Sequence, residues 1–318
     1  MSEIVAKIKL AVFVNPKSGS KSAVNRWFRK IKPFLMNSGE VDIVFELITK
    51  EKGEAEREAA KVQGGLPEGL DGVLTLGGDG FIGEVINGLY KSGKLSALPV
   101  YPLLCGTGNG LVNSLFHRKR MKPDQDTILR AILSRKTQEV DLFKVEAGER
   151  LKRIAFLSVT IGILADTDID SEKLRCLGNM RFTLCGLWKI ARNRGYRARV
   201  IFGEKTLDST FVSITAFNLS HASPSFMAAP ERTPQDGLLS LACVGMPGRR
   251  ETLKVMMRAE KGLHISENVW NPIAVKNFHI ELEQGQKRDA GIVVDGEVWD
   301  SDHIRGEISP DKLITYLI

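Results

Sequence analysis

The chain has 318 residues, 43% hydrophobic and 26% charged, the profile of a soluble two-domain protein with a core large enough to need no disulfide or metal staple. Its net charge of +7 favours nucleotides or anionic lipid as partners, and with no zinc-finger spacing and no aromatic RNA-binding pattern, nucleic acid is excluded. Cys105, Cys176, Cys185 and Cys243 form no C-x-x-C pair and the N-terminus reads as no signal peptide, which predicts a cytoplasmic protein without a structural zinc site.

Residues 9–14 read as a buried strand, followed by the turn Asn15-Pro16-Lys17-Ser18-Gly19-Ser20. A helix follows, with Val24, Trp27, Phe28, Ile31, Phe34 and Leu35 expected on one face and a kink or early end expected at Pro33. Residues 43–48 predict a second strand, 53–63 a second helix and 73–76 a third strand. That strand runs into Gly77-Gly78-Asp79-Gly80. Ile82, Val85, Ile86 and Leu89 then repeat at helical spacing. Residues 100–104 form the next strand, running into Cys105-Gly106-Thr107-Gly108-Asn109-Gly110 and a helix over 111–116. A helix ending near Arg135 closes this half.

Strands alternating with helices predict a parallel sheet with helices on both faces, a Rossmann-like three-layer α/β domain over 1–139. Ligands then bind beyond the carboxyl ends of the strands, where all three glycine-containing turns fall. From Val140 the texture changes to short apolar runs: 142–145, 154–163, 199–202, 211–218, 238–244, 274–282 and 292–294. This predicts an antiparallel β-sandwich over 140–318, interrupted by helices at 170–194 and 250–263. The longest mostly apolar run, 154–165, is too short to span a bilayer. The basic clusters at 117–120, 192–199 and 249–250 read either as solvated surface or as attraction to a membrane surface.

A strand that ends in glycines and opens a helix lets backbone N–H groups approach a phosphate, so the two Gly-rich turns point to a nucleotide and to phosphoryl transfer. Asp79, flanked by glycines, reads either as a base for an attacking hydroxyl or as a helix-capping turn residue. Thr107 and Asn109 add donors, although the run matches neither the P-loop nor the dinucleotide fingerprint. Asp295-Gly296-Glu297 reads as two carboxylates for Mg²⁺ or as a hairpin turn. The acidic run Asp166 to Glu172 reads as a cation site, surface ion pairs or a cap for the helix after it. Arg175 and Arg181 beyond it could reach phosphate with planar donor forks.

Several segments together resemble the diacylglycerol-kinase-like catalytic domain of lipid kinases. They are Asn15-Pro16-Lys17-Ser18-Gly19, Gly78-Asp79-Gly80 with Glu84 and Asn87-Gly88-Leu89, and Gly106-Thr107-Gly108-Asn109. The second half looks like that of the sphingosine kinases. There the resemblance lies in Ile161 to Lys173, Leu177-Gly178, Met180 to Leu184, Ala228-Ala229-Pro230, Glu260-Lys261-Gly262 with His264, and Val294 to Glu297. Phe81 departs from the Thr usual after Gly-Asp-Gly, Leu104-Cys105 from the usual Pro-containing pair, and Gly110 from a common Ala.

The resemblance implies an active site between an ATP domain and a lipid domain, with ATP and Mg²⁺ as cofactors and a sphingoid base as acceptor. Asp79 would be the catalytic base. Asn15, Thr49, Gly78, Gly80, Glu84, Gly106, Thr107, Gly108, Asn109, Arg175 and Arg181 would serve the nucleotide, and Asp295 with Glu297 the metal. Asp168 would pair with the ammonium that sphingoid bases carry and neutral lipids lack, since an unpaired buried carboxylate is costly. Ile163, Leu164, Phe226, Met227, Leu253, Met256, Met257, Leu263 and His264 would line the lipid cavity, where Met suits an adaptable wall.

Other readings stay open: a kinase for diacylglycerol, ceramide or another lipid, a non-catalytic lipid- or nucleotide-binding regulator, and a NAD-kinase-like enzyme. The expected setting is cytoplasmic with transient, peripheral membrane association. The oligomeric state stays open, a homodimer included.

Overall fold

The computed structural model describes residues 6–19, 21–61, 65–106, 108–148, 151–171, 180–285 and 291–318. They fold as two compact units, one up to Val140 together with Pro310–Ile318, the other Asp141–Ser309. The return of the last nine residues to the first unit is not visible in the sequence. Among the described residues, no helix is long and apolar enough to cross a membrane.

The first unit runs β1 (Ile8–Val14), α1 (Ala23–Arg26), a π-helical turn (Trp27–Ile31), α2 (Lys32–Asn37), β2 (Val41–Ile48) and α3 (Glu54–Ala60), then β3 (Gly72–Gly77), α4 (Asp79–Lys91), β4 (Val100–Leu104), α5 (Gly110–Arg118) and α6 (Gln125–Leu133). The sheet order is β2-β1-β3-β4, with every pair parallel. β1 and β3 are buried almost residue by residue, as expected of parallel strands covered on both faces. Helix α4 buries Ile82, Val85, Ile86 and Leu89, the spacing read from the sequence, and Phe81 as well.

Pro33 falls in the first turn of α2, directly after the π turn. The wider turn accommodates the missing proline N–H. It also changes the buried face: Trp27, Ile31 and Leu35 are buried, while Phe28 and Phe34 are 44% and 37% exposed. The expectation that all six apolar residues share one buried face is corrected accordingly. Gly88 lets α3 approach α4, because a Cβ there would stand 2.5 Å from the Glu56 carbonyl oxygen and 2.6 Å from Ala59 Cβ.

The second unit is reached along β5 (Thr137–Ala147). It contains β6 (Leu151–Ala155), β7 (Ser158–Gly162), α7 (Ile163–Ser171), α8 (Met180–Arg192), β8 (Tyr196–Phe202), β9 (Lys205–Phe211), β10 (Ser213–Phe217), β11 (Leu239–Val244) and α9 (Arg249–Ala259). After these come β12 (Ile273–Val275), β13 (Asn277–Leu282), β14 (Ile292–Val294), β15 (Glu297–Trp299) and β16 (His303–Tyr316). One sheet has the order β12-β11-β10-β7-β14-β15, the other β6-β5-β16-β13-β8-β9. A single apolar core draws on both sheets, including Phe143, Val159, Ile161, Val200, Ile214, Leu241, Ile280, Ile292 and Trp299. The unit is thus the antiparallel β-sandwich expected from the sequence.

Two predicted strands are divided. The run 154–163 breaks at Phe156-Leu157 and its last residue opens α7, and 274–282 breaks between β12 and β13. The acidic run, expected as a cation site, surface ion pairs or a cap for the helix after it, is itself helical from Asp166 to Ser171. β9 escaped the sequence reading because five of its seven residues are exposed, so it has no apolar alternation.

Candidate active site

The parallel sheet carries the predicted nucleotide residues at one edge. Val14 pairs with Ile48 and with Leu76, and Gly77 with Leu104. The residues that follow these positions (Asn15, Thr49, Gly78 to Gly80, Gly106, Gly108 and Asn109) therefore leave the sheet at the same, carboxyl end. The Asn15 N–H donates to the Leu76 carbonyl oxygen at 2.9 Å, and the Thr49 N–H to that of Val14 at 3.0 Å. Asn15 Oδ1 accepts the Lys17 N–H at 2.9 Å, which closes the first turn.

The two Gly-rich bends touch. A Cβ on Gly106 would lie 2.6 Å from Gly78 Cα, a distance no side chain tolerates. Gly77 is fixed by Phe81, whose Cδ1 would stand 2.3 Å from a Cβ there. The Phe81 ring thus covers the end of β3. In the second bend, Asn109 adopts a left-handed backbone with φ of 47°. Its Oδ1 accepts the Gly106 N–H at 2.9 Å and its Nδ2 donates to the Gly106 carbonyl oxygen at 2.6 Å.

Asp79 joins the two bends. Its carboxylate accepts the N–H groups of Gly110 at 2.9 Å and Leu111 at 3.4 Å, the first residues of α5. The residue keeps partial contact with solvent, but its carboxyl is turned inward. Burial pushes that carboxyl above the usual carboxylate range, against the opposing pull of the Gly110 and Leu111 N–H groups. The capping alternative thus holds in an unforeseen form: Asp79 caps α5 rather than its own helix. The N–H groups of Gly106 and Gly110 are engaged within the protein, so a phosphate would use them only by exchange. Glu84 is buried on α4, and Gly80 has open space around its Cα. Thr107 and Arg175 lie outside the described residues.

In the second unit, α7 is held by its acidic residues. Asp166 is 3% exposed and accepts the Tyr196 hydroxyl at 2.7 Å. Asp170 pairs at 2.6 Å with Lys189 of α8, whose side chain is 5% exposed. These residues are one helical turn apart and share a face; position 168 falls on the opposite side of the helix. The side chains of Asp168 and Arg181 lie outside what the structure describes. Tyr196 and Lys189 were missed because nothing in the sequence distinguishes a buried cation or phenol from an exposed one.

Asp295 and Glu297 belong to a hairpin. Asp295 and Gly296 have φ of 49° and 82° and form the two-residue turn between β14 and β15, with Val294 paired to Glu297, the geometry of a type I′ connection. The Asp295 carboxylate accepts three N–H groups, from Phe156 at 3.0 Å, Leu157 at 2.9 Å and Ser158 at 2.8 Å. Glu297 pairs with Arg153 at 2.8 Å. Mg²⁺ takes oxygen ligands in a near-octahedral shell, and two carboxylates engaged in this way do not fit as its ligands. Among the described residues, no group of three or more His, Cys, Asp or Glu is placed to hold a metal ion.

The predicted lipid-lining residues divide. Ile163 and Leu164 pack against the cluster of Val212, Ala242, Val244, Val255 and Trp270. Phe226 packs against Phe217, Ala228 and Ala229. The Met227 N–H donates to the Ala259 carbonyl oxygen at 2.9 Å, and its Sδ would stand 2.6 Å from a Cβ on Gly262. His264 is fully buried. Leu253 is half-buried on α9, and half-buried Met256 meets α8 at Gly186, where a Cβ would lie 3.0 Å from its Cε. Met257 and Leu263 are instead 71% and 50% exposed. Trp270 belongs to the cluster against which Ile163 and Leu164 pack, and it was missed, since no periodic pattern leads to it.

Residues 9–145 match the diacylglycerol kinase catalytic domain. Residues 157–316, half of the chain, match the YegS C-terminal NAD kinase beta sandwich-like domain. Sphingosine kinase 1 of Arabidopsis thaliana is 27% identical, over 91% of this chain and 68% of its own. Sphingosine kinase 1 of Homo sapiens is 26% identical, over 95% and 89%. Among solved structures, a diacylglycerol kinase from Bacillus anthracis superposes with a TM-score of 0.69 at 18% identity, covering 98% of this chain and 97% of that one. An NAD kinase from Archaeoglobus fulgidus in complex with ATP gives 0.50 at 12% identity, covering 96% and 93%. Both likenesses bear on the fold alone. With the two domain types matched in order along nearly its whole length, the chain belongs to the diacylglycerol-kinase-like lipid kinases.

Proposed function

We propose that the protein is a sphingosine kinase, transferring the γ-phosphate of ATP to the primary hydroxyl of a sphingoid base to give sphingosine 1-phosphate. The observation that carries the nucleotide half is the contact of Gly106 with Gly78, which brings two glycine bends and the Asp79 carboxyl to one sheet edge. The hydroxyl oxygen forms a bond to the γ-phosphorus, the bond to the β-phosphate oxygen breaks, and ADP leaves. The hydroxyl proton passes to Asp79. A carboxyl whose proton affinity is raised by burial suits that task better than an ordinary one. Asn15, Thr49 and the glycines of both bends border the nucleotide, and Arg175 and Arg181 neutralise phosphate charge.

The acceptor assignment rests on the acidic helix α7 and on relatives named sphingosine kinases. Asp168 pairs with the ammonium of the sphingoid base, and the apolar groups around Ile163, Leu164, Phe226 and His264 receive the hydrocarbon chain. The protein is cytoplasmic and meets the membrane peripherally through α8. Leu184, Leu187 and Trp188, spaced along one face of that helix, are 46%, 43% and 62% exposed. The test is a panel of sphingosine, diacylglycerol and ceramide with γ-labelled ATP, run on wild type and Asp168→Asn. Sphingosine should be the preferred acceptor. Asp168→Asn should weaken its use far more than that of ATP, and equal losses for both substrates would remove the ammonium pairing.

A further inference from the structure

The apolar region of the second unit contains two adjoining rings that each leave one polar atom without a partner among the described residues. Phe217, Phe226, His264 and Trp270 form a row of rings whose successive centroids are 6.3, 6.3 and 4.9 Å apart. His264 and Trp270 are 0% and 4% exposed. His264 Nε2 lies 3.1 Å from the Ala228 carbonyl oxygen. A carbonyl only accepts, so Nε2 carries the ring proton. Burial pulls the imidazole below the usual histidine range, against the opposing pull of the Ala228 carbonyl and Glu231, which favours the neutral ring with Nδ1 as its acceptor atom. Nδ1 has no hydrogen-bond partner among the described residues, and neither has Trp270 Nε1.

A buried acceptor and a buried donor thus sit on adjoining rings inclined at 70°. His264 has a structural task in holding the Ala228 carbonyl oxygen, but if position 270 served packing alone, phenylalanine would fill it without a stranded N–H. Stranded polar atoms of this kind are uncommon in folded proteins and ask for an explanation. A hydroxyl or water oxygen has the chemistry that both atoms lack, a hydrogen to donate to the imidazole nitrogen and a lone pair to accept the indole N–H. Val212, Val244, Val255, Ile163 and Leu164 pack with Trp270 and Phe226 lies beside His264, while the Ala228 carbonyl oxygen and the charge of Glu231 also act on the imidazole.

We propose that His264 and Trp270 form a receptor for a single hydroxyl oxygen within the lipid-binding region. Its two sources are a hydroxyl on the hydrocarbon chain of the acceptor lipid and a buried water. In the first case the receptor selects chain-hydroxylated long-chain bases over plain ones, which an all-hydrocarbon wall cannot do strongly. The lipid source rests on the acceptor reading given above; the receptor itself does not.

The experiment uses the full chain and measures binding of sphinganine, 4-hydroxysphinganine and analogues hydroxylated further along the chain, alongside a high-resolution crystal structure of the lipid-free protein. Trp270→Phe keeps a ring and removes the N–H, and His264→Phe removes the acceptor; thermal melts of both report folding. At least one hydroxylated chain should bind about tenfold more tightly than sphinganine. That ratio should fall to about one in either variant. A ratio of one in wild type, with an ordered water bridging Nδ1 and Nε1 in the crystal, supports the receptor and assigns it to water. A ratio of one with no water overturns the proposal. If no long-chain amine binds at all, the acceptor reading fails, while the crystal still decides whether the receptor exists.

Discussion

Replacing Asp295 by alanine separates a hairpin clamp from a metal ligand. Its carboxylate receives three N–H groups from the break between β6 and β7, at 2.8 to 3.0 Å, and the residue is 8% exposed. Alanine strands those donors at about 1–3 kcal/mol each, with partial relief where water reaches them. It also places a Cβ without a compensating polar group at φ of 49°, which adds about 1 kcal/mol. The expected loss is about 3–6 kcal/mol, a large part of the roughly 5–15 kcal/mol that stabilises an ordinary protein. Asparagine retains one acceptor and tolerates the left-handed backbone, so Asp295→Asn should lose about half as much. Urea denaturation followed by circular dichroism in EDTA reads the difference directly. If Asp295→Ala kept the wild-type midpoint in EDTA and lost only the Mg²⁺ dependence of turnover, the clamp reasoning would be refuted.

Gly106→Ala should cost about 1–3 kcal/mol by denaturant midpoint, because the new methyl meets the Gly78 backbone rather than a side chain able to move. Gly80→Ala, with nothing within 4 Å and no left-handed φ, should stay within about 1 kcal/mol of wild type; equal effects would remove the contact between the bends. Asp79 has the opposite sign to a salt-bridged carboxylate. Its proton affinity is raised on folding, so its contribution is most favourable below the ordinary aspartate range and is lost as pH rises through the folded-state value. Asp79→Asn should therefore melt increasingly above wild type as pH rises from about 4, and a constant offset at every pH would contradict the burial argument. Lys189→Met leaves Asp170 without its cation; because that carboxylate is 37% exposed, the expected loss is about 1–3 kcal/mol. Adding Asp170→Asn should recover part of it, and a full-size loss in the double variant would mean that Lys189 acts elsewhere.

The first unit was legible because its signals are local. Gly77 to Gly80 and Gly106 to Gly110 end apolar strands, and parallel order alone brings those ends to one edge. The contact of Gly106 with Gly78 follows from that order. The second unit was legible as a class and less so in detail. Asp166 and Asp170 look like surface charge because acidic residues usually stay in water, whereas here a phenol and a buried lysine receive them. Asp295-Gly296 fits a metal turn and a hairpin equally by composition; the three amides of 156–158, more than a hundred residues away, decide for the hairpin. β9 was invisible because an exposed edge strand needs no apolar alternation. The return of Pro310–Ile318 was hidden for a similar reason: the buried Tyr316 hydroxyl donates to the Pro102 carbonyl oxygen, a contact with no local trace.

The most direct test of the central claim measures phosphate transfer from γ-labelled ATP to sphingosine by wild type and Asp79→Asn, with ATP binding read by calorimetry in the same preparations. Transfer should fall by about a hundredfold or more, while ATP affinity changes by less than about threefold. Near-normal transfer by the variant, or no transfer to sphingosine by the wild type, would contradict the account.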